Sequence, residues 1–209
     1  LFELLVSKAN WHWTFIHIIS TFPFFITLFK NYIEISYSLC MTKMRQILII
    51  GNNDNGCTPE IESAAYEAGK EVAKSNSVLI TGGLGGVMKA ASHGAKDANG
   101  LTIGIIPQDD SSLANEYCDI VIPSGMGLSR DFLNALSADG VIVVGGGSGT
   151  LSEICAAYMY KKPIATIKNS GGMATKYADQ YLDHRENVKI IGFDSPKDAV
   201  DYILEQIKS

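Results

Sequence analysis

Six short apolar runs follow one another along the chain: QILII (46–50), SVLIT (77–81), LTIGII (101–106), DIVI (119–122), GVIVV (140–144) and PIATI (163–167). They hardly alternate between polar and apolar residues. A strand with one face in water alternates, whereas a strand covered on both faces reads as a continuous apolar run. The runs are therefore expected to form a sheet sandwiched between helices, with VKII (188–191) as a seventh candidate. Amphipathic, helix-length stretches separate them at about 59–75, 86–98, 128–136, 150–160 and 196–208. Two have marked starts, since Thr58-Pro59 and Ser195-Pro196 place a capping hydroxyl before a proline at the first helical position. This order predicts an α/β fold with three layers, a doubly wound and mainly parallel sheet of Rossmann type.

In such sheets ligands bind beyond the carboxyl ends of the strands. Three of the loops there are glycine-rich: GNNDNG (51–56), TGGLGG (81–86) and GGGSGT (145–150), each leading into a helix. Glycine lets the backbone approach a ligand, and the helix N-terminus behind it favours phosphate. Tight βα turns alone would account for one such loop, but three at one sheet edge point to a phosphate-bearing small molecule. No Gly-Lys-Ser/Thr ending is present, which excludes a Walker loop. The spacing also misses the dinucleotide fingerprint, and no acidic residue ends the second strand to hold a ribose diol.

Composition narrows the partners. A net charge of -5 and a pI near 5.3, without clustered Lys and Arg, argue against a nucleic-acid partner. The four cysteines (Cys40, Cys57, Cys118 and Cys155) are widely spaced, so no metal site is expected and a reducing, cytoplasmic setting fits. Residues 1–40 differ from the rest: they contain no glycine, although the chain has 20, and they carry both tryptophans. Residues 9–29 have no charged side chain and are long enough to serve as a membrane anchor. The first methionine, Met41, precedes TKMRQILIIG, so residues 1–40 read either as an extension upstream of the natural start or as an anchor. On both readings the ligand-binding domain is 41–209.

TGGLGGVMKAASHGA (81–95), TIGIIP (102–107) and GMGLSRDFLNALSADGVIVVGGGSGTLSEI (125–154) resemble the superfamily of Lonely Guy phosphoribohydrolases and molybdenum-cofactor carrier proteins. Its most specific part is the arginine followed by GGxGTxxE. Members have been labelled lysine decarboxylases, but no lysine here lies in a recognisable pyridoxal-phosphate setting. The resemblance implies a homo-oligomer, with Gly146, Gly147, Ser148, Gly149 and Thr150 holding a phosphate. It also implies catalysis by Glu153 and Arg130, which match the pair that splits the N-glycosidic bond of a nucleoside 5'-monophosphate without a cofactor. Gly82, Gly83, Gly85 and Gly86 are candidates for the same ligand, as are Asn52 and Asn53, which also suit turns.

A carboxylate suits an oxocarbenium-like transition state, and a guanidinium suits a sugar phosphate. Two positions depart from the phosphoribohydrolase pattern: Gly145 replaces proline and Asp131 replaces lysine. Both look closer to the carrier branch, which holds the phosphate of a pterin, the molybdenum cofactor, without breaking a bond. Bland readings stand beside these. Thr150-Leu-Ser-Glu153 is a capping-box pattern, and Arg130 suits a surface ion pair with Asp131 or Asp139. His93 and His184 lack metal-ligand neighbours, and 167–187 reads as a flap or a surface excursion.

Overall fold

The computed structural model describes residues 43–207, so the alternative readings of residues 1–40 lie outside the described residues. Seven strands form one sheet: β1 (Gln46–Gly51), β2 (Val78–Thr81), β3 (Thr102–Ile106), β4 (Ile120–Pro123), β5 (Gly140–Val144), β6 (Ile164–Ile167) and β7 (Ile191–Phe193). Among the described residues six α-helices accompany them: α1 (Pro59–Lys74), α2 (Val87–Asp97), α3 (Arg130–Ser137), α4 (Ser148–Met159), α5 (Gly172–Tyr177) and α6 (Pro196–Ile207). The strand order is β4-β3-β2-β1-β5-β6-β7, and every strand pair is parallel. The expected Rossmann-like architecture is thus present.

The continuous apolar runs are explained by where alternate residues go. Ile47 and Ile49 of β1, with Ile142 and Val144 of β5, pack against α1, α2 and α6. Leu48 and Ile50, with Val141 and Val143, pack against α3, α4 and α5. Both faces are buried, so no polar position is left from Ile47 to Ile50 or from Gly140 to Val144. Burial of a leucine or isoleucine contributes about 2 kcal/mol, and the central strands hold most such side chains.

The chain winds outward from β1 to β4, then crosses back to lay β5 beside β1 and winds the other way. This reversal opens a crevice beyond Gly51 and Val144, which are partners in register. Some boundaries move. The edge strand is Ile191–Phe193 and not 188–191, because Ile190 is buried and closes an antiparallel bridge with Gln180. Gly127–Ser129 form a 3-10 turn, so α3 begins at Arg130. No helix among the described residues is long and apolar enough to cross a membrane.

Candidate functional site

A cleft of about 380 Å³ occupies the crevice. Its walls are Gly51, Asn52 and Asn53 at and after the end of β1, Gly82, Leu84 and Met88 after β2, and Leu128 to Asp131 before and within α3, with Ser129 excepted. Its floor is the start of α4, from Gly147 to Thr150, together with Glu153. A larger groove of about 670 Å³ runs between α1 and α6, but Glu60, Glu67, Glu71 and Asp194 line it and none of the glycine loops does. An anionic ligand is better served by the smaller cleft.

The glycine loops divide the work. In the third loop the Gly145 N–H donates to Ser170 Oγ at 2.7 Å, and the Gly146 N–H donates to Asn52 Oδ1 at 2.6 Å. Both amides are therefore spent inside the protein, and Gly146 does not line the cleft. The N–H groups of Ser148, Gly149 and Thr150 open α4 and have no intrahelical partner. Open amides at a helix N-terminus are the feature that suits an anion. In the second loop the Gly86 N–H donates to Asp54 Oδ1 at 2.7 Å and the Gly83 N–H to Thr81 Oγ1 at 3.1 Å. A carboxylate thus already occupies the anion position at the start of α2. Gly83, Gly85 and Gly86 shape the loop and do not line the cleft, whereas Gly82 does. A Cβ at Gly82 would stand 2.3 Å from Arg130 Nη1, so its lack of a side chain makes room for the guanidinium.

Segment 167–187 braces the third loop from behind. Besides Ser170, the N–H groups of Met173 and Ala174 at the start of α5 donate to Gly146 O and Gly145 O. Gly145 has φ +61°, which proline cannot adopt, and proline would also lack the N–H that Ser170 receives. Glycine at this position therefore fits the bracing that the loop has in this chain.

Arg130 and Glu153 come together across the α3–α4 contact. Arg130 is 8% exposed, and its Nη1 stands 4.0 Å from both Asp131 Oδ1 and Glu153 Oε1. Its buried Nε has no partner among the described residues. Of the two ion pairs expected at the surface, the one with Asp131 forms but is buried, and Asp139 Oδ2 instead accepts from the Gln46 N–H. Asp131 is also buried and accepts from Ser152 Oγ at 2.6 Å.

The capping box is overturned. Gly147 is the cap of α4, and Thr150 lies inside the helix, donating through Oγ1 to Gly51 O at 3.1 Å. Glu153 does not turn back to the helix start but accepts from Asn134 Nδ2 at 2.8 Å. Burial pushes the Glu153 carboxyl up to about 8; the Asn134 bond opposes this, Asp131 adds to it, and Arg130 opposes it. Asn134 and Ser170 went unnoticed in the sequence reading. The first sits four residues after Arg130 and so on the same helix face, a signal available from spacing alone.

A stability consequence follows from that carboxyl. An acid that ionises at 4.5 when unfolded and about 8 when folded binds more protons in the native state between those values, so stability falls as pH rises through that window. Below 4.5 the Glu153 contribution is fully present. Thermal unfolding of the wild type is expected to lose ground to Glu153→Gln steadily from pH 5 to pH 8, with the variant the more stable at pH 8. Parallel pH profiles for the two proteins would contradict a buried, protonated Glu153.

His93 stacks on Tyr117 with ring centroids 4.3 Å apart and lies 3.6 Å from Asp97, away from the cleft. His184 is exposed. Comparison with known proteins adds to this geometry. Residues 44–200 match the model of the SLOG cluster4 family. An uncharacterized protein of Archaeoglobus fulgidus is 36% identical over 162 residues, covering 78% of this chain and 96% of its own. The cytokinin riboside 5'-monophosphate phosphoribohydrolase LOG of Oryza sativa subsp. japonica is 29% identical over 142 residues, 62% of this chain and 57% of the rice protein. The molybdenum cofactor binding protein of Rippkaea orientalis superposes with a TM-score of 0.67 at 32% identity, covering 79% of this chain and 99% of that one.

Proposed function

The chain belongs to the SLOG cluster4 family, and from that premise we propose that it is a nucleoside 5'-monophosphate phosphoribohydrolase. The phosphate rests on the first turn of α4, where Ser148, Gly149 and Thr150 present open N–H groups and Gly147 leaves space in front of them. The observation that carries this reading is the Arg130 Nε, buried and without a partner beside a buried carboxyl. An unsatisfied buried donor costs about 1–3 kcal/mol, and a ligand oxygen relieves that cost.

Glu153, protonated at neutral pH, gives its proton to the departing base as the bond from its nitrogen to C1' breaks. Water adds at C1' and returns a proton to the Glu153 carboxylate, leaving ribose 5-phosphate. Arg130 orients the sugar phosphate. No cofactor enters this scheme. Incubation of the full chain with AMP and related nucleoside monophosphates tests it, with chromatography following free base and ribose 5-phosphate.

A second reading is favoured by Asp131. Buried beside the cradle and held by Ser152, it puts a negative charge where the phosphoribohydrolase pattern has lysine. That arrangement suits a protein that holds a phosphorylated pterin, the molybdenum cofactor, or a nucleotide and hands it on. Ligand-induced thermal stabilisation without base release would select this reading.

For the homo-oligomer that the resemblance implies, one surface stands out. Leu128, Phe132 and Leu136 recur every four residues beside the cleft mouth and are 88%, 52% and 45% exposed. A self-complementary stripe of this kind suits a two-fold contact between copies. Light scattering is expected to give a dimer for the wild type and a monomer for Phe132→Glu; a monomeric wild type would remove the stripe from consideration.

A further inference from the structure

A carboxyl that moves a proton has two oxygens, and the one that carries the proton must face the ligand. Asn134 on α3 is fully buried, and its Nδ2 donates to Glu153 Oε1 at 2.8 Å. Arg130 Nη1 stands 4.0 Å from the same oxygen. Asn134 Oδ1, also buried, has no partner among the described residues. A core amide with half of its capacity unused is a poor choice for packing alone, since an apolar side chain of similar volume leaves nothing unsatisfied.

We propose that Asn134 is a positioning residue for Glu153: by donating to Oε1 it fixes the carboxyl and leaves Oε2 to gain and lose the proton. The proposal rests on the reading of Glu153 as a proton donor. Because Oε1 accepts from the amide, the acid proton sits on Oε2, and Glu153 lines the cleft. The charged groups that face Glu153 are Arg130 and Asp131, both from α3. The layer shared with the sheet is apolar, with Leu48 and Ile50 of β1 and Val141 and Val143 of β5 packed around Ile154 of α4. Burial raises the proton affinity of the carboxyl most, and the Asn134 bond opposes it more than Arg130 does.

Asn134→Leu removes the donor at nearly constant volume, and Asn134→Asp keeps the shape while adding a second carboxyl. The full chain is labelled with carbon-13 at the glutamate carboxyls, and the Glu153 signal is identified by its loss in Glu153→Gln. Its titration midpoint, about 8 in the wild type, is expected to move up by about half a unit or more in Asn134→Leu. The kcat for base release from AMP is expected to fall about tenfold or more, with KM changed by less than about twofold. Asn134→Asp is expected to titrate in two separated steps shared between the carboxyls.

A folded Asn134→Leu protein with the wild-type midpoint would overturn the proposal. Should that variant not fold, a single unshifted midpoint in Asn134→Asp would do the same. Failure of the hydrolase reading shows itself separately, as no base release by the wild type, while the midpoint still reports on Asn134.

Discussion

Glu153→Gln is expected to abolish base release from AMP, lowering kcat by about 10²- to 10⁴-fold, while AMP still raises the unfolding temperature as in the wild type. The substitution is close to isosteric, so the contact with Asn134 survives in altered form and the helix start is untouched. Glutamine supplies a donor but no transferable proton, which separates proton transfer from binding. The proposed phosphate cradle lies one turn earlier on α4, at Ser148 to Thr150, and has no need of the carboxyl. A capping role would have made this variant less stable by about 1 kcal/mol. With Gly147 as the cap, the expected sign is reversed, and the variant gains stability at pH 8. Full turnover by Glu153→Gln would take Glu153 out of the chemistry, and loss of AMP binding along with turnover would recast it as a ligand contact.

The sheet was readable in advance because burial on both faces leaves a signature that needs no knowledge of neighbours. β1 and β5 each carry an unbroken apolar run, since Leu48 and Ile49 point to different helical layers and both layers are apolar. That signature fades at the edge. Ile191–Phe193 is only half-buried, while Ile190, apolar and fully buried, belongs to a bridge, so the apolar run sits ahead of the strand it announces. The α5 helix is six residues long with only Ala174 buried, too short for a periodicity to register.

At the site the motif named Arg130 and Glu153, but their meaning came from packing. Whether Glu153 caps a helix or meets Asn134 depends on which residue caps α4, Thr150 or Gly147, a matter of three residues. The partners that tie up the glycine amides are remote: Asp54 is 32 residues from Gly86, Ser170 is 25 from Gly145, and Asn52 is 94 from Gly146. No local pattern announces such contacts, so the three glycine loops read as equals although the amides of Gly83, Gly86, Gly145 and Gly146 are spent inside the protein.

That inequality is what Gly147→Val tests, because it predicts opposite failures for two glycines in similar loops. Gly147 has φ −115° and ψ −150°, extended backbone that valine adopts, and a Cβ there would meet nothing within 4 Å. The valine protein is therefore expected to fold, at a cost of about 1 kcal/mol for a poorer cap. Its side chain occupies the space in front of the α4 amides and excludes the phosphate. Losing two charge-assisted hydrogen bonds of about 1.5 kcal/mol each lowers affinity for AMP by roughly 100-fold. Gly86 behaves differently: at φ +61°, a Cβ would lie 2.4 Å from Asn52 O, so Gly86→Ala is expected to lower the unfolding temperature markedly. Calorimetric titration with AMP, run beside thermal unfolding, separates the two effects. Undiminished AMP affinity in a folded Gly147→Val protein would move the anion site away from α4, and with it the geometry that brings Arg130 and Glu153 to one ligand.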